Sequence, residues 1–323
     1  MVIIMNISEE KRTQICAALA KAQQDIKRIQ AAGVMDISEV ERICRALQDV
    51  VQELTMTQDK AFTLTIDKGN NLDQNLVKNA ADMLRLQLNE KSTPAADKYA
   101  FKRFVTMAGS IVESAKPTKA NIISKIADAS QALDDALVPD DNRYLYLTSE
   151  MYKLVCTSDE FAGVDVLARQ SIAKGVCGEV FGMNVVRVPK SYLPEDVYFL
   201  VAHKDAVLMP YKIADAKVHE DPVGVSGALI EGRHYYDAYV LGAKCGGVYA
   251  LVDEDCRSSA PTISQGKITA FGKVRYTLDG SDPRYSDSAK DYVAGTVLTP
   301  ETGCKIRAYC VQSGAYPSEV AEG

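Results

Sequence analysis

Residues 60–104 read KAFTLTIDKGNNLDQNLVKNAADMLRLQLNEKSTPAADKYAFKRF, and two different periods meet inside them. The first eight residues alternate, with Phe62, Leu64 and Ile66 on one side and Thr63, Thr65 and Asp67 on the other. That is the pattern of a half-buried strand. Gly69-Asn70-Asn71 punctuates it as an exposed bend. From Asn71 the apolar residues Leu72, Leu76, Ala80, Met83, Leu84 and Leu88 recur at helical spacing. Thr93-Pro94 restarts the helix, since Pro is tolerated at the first helical position and Thr can cap it. Tyr99, Phe101, Phe104 and Met107 continue the stripe. The reading is a strand followed by a helical rod of about 40 residues with a joint at Pro94. Such a pair covers little apolar surface within one chain.

Working outward, the text before residue 58 is helical. Ile15, Leu19, Ala22, Ile26 and Ile29 form one narrow stripe; Val40, Ile43, Leu47, Val50 and Leu54 form another, with Ser38 and Glu41 at capping-box spacing. Residues 1–57 are expected to be a helical hairpin or arm. Downstream, Pro117-Thr118 opens a helix bearing Ile122, Ile123, Ile126, Leu133 and Leu137, closed by VPDDN. RYLYLT (143–148) reads as a strand, and Ser149 as the cap of a short helix through Leu154. GEVFGMNVVRVP (178–189), VYFLVAHKDAVLMPY (197–211) and GRHYYDAYVLGAKCGGVYALV (232–252) are strands and loops without a regular strand-helix-strand beat. An α+β body over 58–255 fits better than a doubly wound sheet.

The style changes again near the end. CRSSAPTI (256–263) has the small, polar content of a linker, and VRYTLDGSDPRYSDSAKDY (274–292) is a strand running into a tight turn at Asp279-Gly280. In CKIRAYC, period two puts Cys304, Ile306, Ala308 and Cys310 on one face, as small core hydrophobes. Residues 256–323 therefore read as a separate all-β domain.

Charge and chemistry exclude more than they assign. The net charge is −6, and residues 259–323 carry seven basic and seven acidic side chains, so the acidic excess belongs to the first 258 residues. No basic stripe suits sequence-specific reading of nucleic acid, although enclosing it is compatible. The eight cysteines lack metal spacing and, with no secretory leader, are expected to be free thiols in a reducing compartment. No apolar run is long enough for a membrane span. His203, His219 and His234 have no nucleophile or metal-ligand partner in sequence and read as surface or structural histidines. The glycines of GVSGALIEG and GAKCGG read as strand bends rather than phosphate cradles. No catalytic, metal or cofactor residue is expected, and the protein is read as no enzyme.

In their order and spacing, KAFTLTIDKGNN…KRF, VPDDNRYLYLTSEMYKLV, GEVFGMNVVRVPKSYLP, AHKDAVLMPYKIADAKVHEDP and GRHYYDAYVL resemble tailed-bacteriophage major capsid proteins over about residues 55–252. The resemblance implies a capsid shell fold. Residues 60–67 would leave an extended loop that reaches a neighbouring subunit, 71–112 would be the spine helix, and 118–240 would build the axial domain. Phe62, Leu64, Ile66, Lys68 and Asn70 become candidate subunit contacts. Lys68, Asn70 and Asn71 sit together in the exposed bend, where a solvated turn is favoured over an isopeptide link. The helices of residues 8–55 depart from the β-hairpin arm expected there.

Residues 261–320 resemble the immunoglobulin-like domain at the C-terminus of chitobiase-type hexosaminidases, which implies an outward-facing sandwich. Asp279, Tyr285 and Tyr292 are its candidate glycan contacts, with turn and packing roles as the favoured alternative. Together these imply a self-assembling icosahedral shell of pentamers and hexamers around double-stranded DNA packaged without sequence specificity. Scaffold, portal and protease proteins would be partners, and the place of action a virion assembled in a host bacterial cytoplasm. An encapsulin-like cargo compartment and a carbohydrate-binding surface adhesin are the alternatives.

Overall fold

The computed structural model describes residues 54–73, 79–158, 178–300 and 303–323. The helices expected over residues 8–55 lie outside this set, apart from its last two positions. Two compact units emerge: one comprises Met56–Val240 with Gly246–Asp253, and the other includes Leu241–Cys245 and Glu254–Gly323.

The first unit opens with β1 (Gln58–Asp67), then α1 (Lys68–Asp73), α2 (Ala80–Gln87), a π-helical turn (Leu88–Ser92) and α3 (Thr93–Thr106). It continues through β2 (Ser110–Glu113), α4 (Ile122–Asp135), β3 (Arg143–Thr148) and α5 (Ser149–Thr157). Next come β4 (Glu179–Val180), β5 (Met183–Val188), β6 (Val197–His203) and β7 (Val207–Leu208). It closes with β8 (Tyr211–Glu220), β9 (Gly227–Tyr236), β10 (Tyr239–Val240) and β11 (Val248–Val252).

A six-stranded mixed sheet in the order β2-β11-β6-β3-β5-β4 carries the main core. On one face Leu145, Leu147, Phe199, Val201, Tyr249 and Leu251 pack on Ile122, Ile126, Leu133, Met151 and Val155 of α4 and α5. On the other, Phe101 of α3 meets Tyr146 edge-on at 5.1 Å. Strands buried on both faces lose their polar alternation, which is why VYFLVAH and VYALV are continuous apolar runs. Arg143 is almost wholly buried and fully engaged: Nε donates to the Pro139 carbonyl at 2.9 Å, and the guanidinium pairs with Asp134 at 2.7 Å and Asp140 at 2.9 Å. It thereby fixes the turn after α4.

Several local expectations are corrected. The helix does not restart at Pro94. Ser92 and Thr93 are already helical, Ser92 makes no side-chain cap, and the irregularity is the π turn just before the proline. There the Thr93 N–H reaches back five residues to the Leu88 carbonyl. Pro94 has no N–H and its ring crowds the carbonyl four residues earlier, so a wider turn admits it without breaking the rod. The continuous helix therefore spans 80–106, capped by the Asn79 side chain accepting from the Ala81 N–H at 2.9 Å. The bend read at Gly69-Asn71 is instead the short helix α1. Thr148, not Ser149, caps α5, accepting from the Met151 N–H at 3.3 Å. Helix α4 begins at Ile122 and not at Pro117-Thr118, and the Asn121 side chain, instead of capping it, accepts from the Thr118 N–H at 2.6 Å.

The second unit holds a two-stranded hairpin, β12 (Thr262–Ser264) with β13 (Lys267–Thr269), and a four-stranded antiparallel sheet. That sheet has the order β15-β14-β16-β17, built from β14 (Lys273–Thr277), β15 (Lys290–Asp291), β16 (Arg307–Val311) and β17 (Ala321–Glu322). Ile306, Ala308 and Cys310 enter its core with Ile268, Val274 and Leu298, as the period-two reading of CKIRAYC requires. Gly280 adopts φ +77° in the turn after β14. Residues 256–258, read as a linker, are part of this unit: the Ser258 N–H donates to the Tyr316 carbonyl and the Tyr316 N–H to the Cys256 carbonyl.

Candidate subunit-contact surface

A three-stranded antiparallel sheet, ordered β1-β9-β8, stands apart from the main core. Strand β1 pairs with β9 over its whole length, from Gln58 opposite Tyr236 to Asp67 opposite Gly227. The strand is thus paired within its own chain, and Ile66 is its one buried residue. The apolar alternation of β1 is satisfied locally, on a sheet of this chain.

One face of the sheet looks toward the long helix. Phe62 lies over Gly232 of β9 and stacks on His234, with ring centroids 6.0 Å apart. A methyl group on Gly232 would collide with that ring, so the glycine exists to seat the aromatic. Tyr236 stacks on Tyr211 at 5.5 Å and meets Tyr99 of α3 edge-on at 5.9 Å. Between sheet and helix runs an open groove of about 650 Å³, lined by Phe62, Tyr99, Tyr211, His234 and Tyr236 together with Lys60 and Lys91. The opposite face is a ladder of charges: the Arg233 guanidinium grips Asp59, and His219 Nε2 lies 2.9 Å from Glu231.

The sheet is rooted by Asp237, which is 1% exposed. Its carboxylate accepts from the Tyr99 hydroxyl at 2.7 Å, the Ala238 N–H at 2.7 Å, and the Thr57 N–H and hydroxyl at 2.8 and 2.9 Å. Burial pushes its pKa up, but these donors outweigh burial and hold the carboxyl below the usual aspartate value. The neighbouring Tyr239 phenol is pushed far up by burial and by the Asp237 charge. One carboxylate thus joins the start of β1, the end of β9 and helix α3. The sequence reading missed it; a lone Asp amid YYDAYV was the available signal, since a carboxylate in apolar text must find donors.

Of the candidate contacts, Phe62 and Leu64 are half-buried and Ile66 is 8% exposed, all on β1 within their own unit. Lys68 is exposed and lies 3.8 Å from Asp221. Asn70 lies in α1, and its side chain falls outside those described. The candidate glycan residues are engaged within the second unit. Asp279 accepts from the Ser281 N–H at 2.9 Å and from the Ser288 hydroxyl at 2.7 Å. Tyr285 packs on Gly242, and burial raises its pKa strongly. Tyr292 sits edge-on to Tyr276 at 6.0 Å, with its hydroxyl donating to the Thr296 carbonyl at 2.8 Å. Among the histidines, His203 is buried with Nδ1 accepting from the Asp205 N–H at 3.2 Å. Cys156, Cys245, Cys256, Cys304 and Cys310 are free thiols. Among the described residues, no group of three or more His, Cys, Asp or Glu side chains could hold a metal ion, and no helix is long and apolar enough to cross a membrane.

Solved structures share this architecture. A chain of the Cyanophage P-SCSP1u capsid structure overlays with a TM-score of 0.52 at 14% identity, covering 62% of this chain and 74% of that one. This is the fold of a phage capsid chain. A chain from Mycobacterium phage Che8 overlays with a TM-score of 0.50 at 18% identity, covering 62% of this chain and 72% of that one. No family model and no curated protein matches the sequence.

Proposed function

We propose that the chain is the major shell subunit of a tailed-phage capsid, assembling as pentamers and hexamers around double-stranded DNA that it does not read. The observation that carries this reading is the capsid fold, an overlay on a capsid chain across 74% of that chain's length. The acidic balance, net −6, agrees with a shell that encloses nucleic acid without gripping it along a basic stripe. The second unit is proposed as an immunoglobulin-like decoration on the outer surface, dispensable for closure. Scaffold, portal and protease proteins are the partners such a shell would use, and the virion its place of action.

Electron microscopy and sedimentation of the recombinant full chain test this. Rings or closed shells are the expected result, and a chain ending at residue 255 should form them too. A compact monomer at every protein and salt concentration would overturn the assignment, while shells that co-purify with a cargo enzyme would redirect it to a protein compartment.

A further inference from the structure

The two edges of the β1-β9-β8 sheet are built differently. Edge strand β8 carries Lys212, Asp215, Lys217, His219 and Glu220 along its length, and its register is broken between Tyr211 and Ile213. Charge and irregularity of this kind block the addition of another strand. Edge strand β1 is regular in its pairing with β9 for ten residues and keeps its charges, Asp59, Lys60 and Asp67, at its two ends, so that its middle, Ala61–Ile66 (AFTLTI), contains no charge, proline or glycine. Among the described residues no strand pairs with its second edge.

The direction of its main-chain groups follows from the ladder. The Lys68 N–H donates to the Ser226 carbonyl at 2.9 Å, continuing the register in which Asp67 faces Gly227. Antiparallel pairs alternate between bonded and non-bonded, so Lys60, Phe62, Leu64 and Ile66 turn their N–H and C=O groups toward β9. Ala61, Thr63 and Thr65 turn theirs outward.

We propose that this outward edge of β1 is an acceptor for an extended segment of a second copy of the chain, which adds to the sheet by main-chain hydrogen bonds. The inference rests on the shell reading for the identity of the partner and names where on the subunit the contact forms. It relocates the contact from the side chains of Phe62, Leu64 and Ile66, which serve their own unit, to the backbone of the residues between them. If that segment is β1 itself, the antiparallel register about Phe62, which opposes Asp59 with Thr65, is favoured over the register about Thr63, which sets Asp59 against Asp67 twice.

Thr63→Pro is the discriminating variant, because proline removes an N–H from the free edge and leaves the β9 ladder whole. In the full-length protein, T63P is expected to keep the wild-type circular dichroism spectrum while association, followed by sedimentation velocity, weakens tenfold or more. L64P, which removes a ladder donor, is expected to destabilise the sheet itself. As a second measurement, amide exchange of the wild type should slow at Ala61, Thr63 and Thr65 on assembly, a readout that does not depend on a variant folding. Wild-type protein that assembles while T63P assembles equally well, or while those three amides exchange unchanged, overturns this inference and leaves the shell reading standing. Wild-type protein that never associates overturns both.

Discussion

The two sheets of the first unit solve opposite problems. The six-stranded sheet covers both of its faces with helices: every residue of β11 is buried, and Phe199, Leu200 and Val201 of β6 have no exposure. The β1-β9-β8 sheet covers one face incompletely and turns the other, with its charge ladder, outward; most of β8 is exposed, and Tyr211 keeps 48% of its surface and Val218 41%. The first is a core that a single chain completes. The second is rooted by Asp237 and one aromatic set, and it is the surface proposed above for contacts between chains. Stability and association should therefore respond to different substitutions.

The largest effect is expected in the six-stranded sheet. Phe199→Ala removes a fully buried ring of the main core, stacked on Tyr249 at 6.3 Å. A loss of about 3–5 kcal/mol in urea unfolding is expected. A loss below about 1 kcal/mol would mean that this sheet is not the stabilising core and would erase the contrast.

Asp237→Asn comes next, because hydrogen bonds to a charged acceptor contribute about 1.5–3 kcal/mol and Asp237 accepts several. The contribution depends on pH with a definite sign. The folded carboxyl titrates below its ordinary value of 3.8, so its stabilisation is complete above that value and is lost as pH falls through the lowered folded pKa. The difference between wild type and D237N should be full at neutral pH and shrink in acid below about 4. A difference that stays constant down to pH 2 would show that packing, and not the charge, roots the sheet.

Gly232→Ala sharpens the contrast inside the weaker sheet. The added methyl collides with the Phe62 ring, which must leave its stack on His234. Overpacking of this kind costs about 1–3 kcal/mol. Pairing with Phe62→Ala, which makes room for the methyl, should recover part of the loss, and a double-mutant cycle measures it. Additive effects would show that the ring does not rest on the glycine.

How much of this could be read in advance depended on whether the pattern was local. The alternation of Phe62, Leu64 and Ile66 and the helical stripe through Tyr99 and Phe101 are set by neighbours in the chain, and both elements are present. Strand β16 was legible for the same reason. The pairing of β1 with β9 was not legible, because it joins residues about 170 positions apart and depends on a glycine that reads as an ordinary bend. The π turn was also hidden: Pro94 announces a break, and only the local widening at Leu88 shows that the helix survives it. Asp237 was hidden because its donors, Thr57 and Tyr99, lie far away in sequence. The capsid fold was readable only as a resemblance in the order of segments, and the overlay on a capsid chain bears out the fold.

The smallest effect is expected on the outward face. Arg233 Nε donates to Asp59 Oδ1 at 2.9 Å, and the second guanidinium nitrogen engages Oδ2, the forked geometry that favours such pairs. The bond to Arg233 lowers the Asp59 carboxyl pKa against a small opposing effect of burial. Both side chains are nonetheless open to water, at 44% and 57% exposure, where screening and the entropy of holding two long side chains cancel most of the attraction. D59A, R233A and the double variant should unfold at the same urea midpoint as wild type within error. Their association should change only in its salt dependence, because a charge at the rim of a contact acts on encounter rate more than on affinity. A clear loss of monomer stability in either single variant would mean that the charge ladder holds the sheet together, and the division between a self-sufficient core and a sheet proposed for contacts between chains would have to be redrawn.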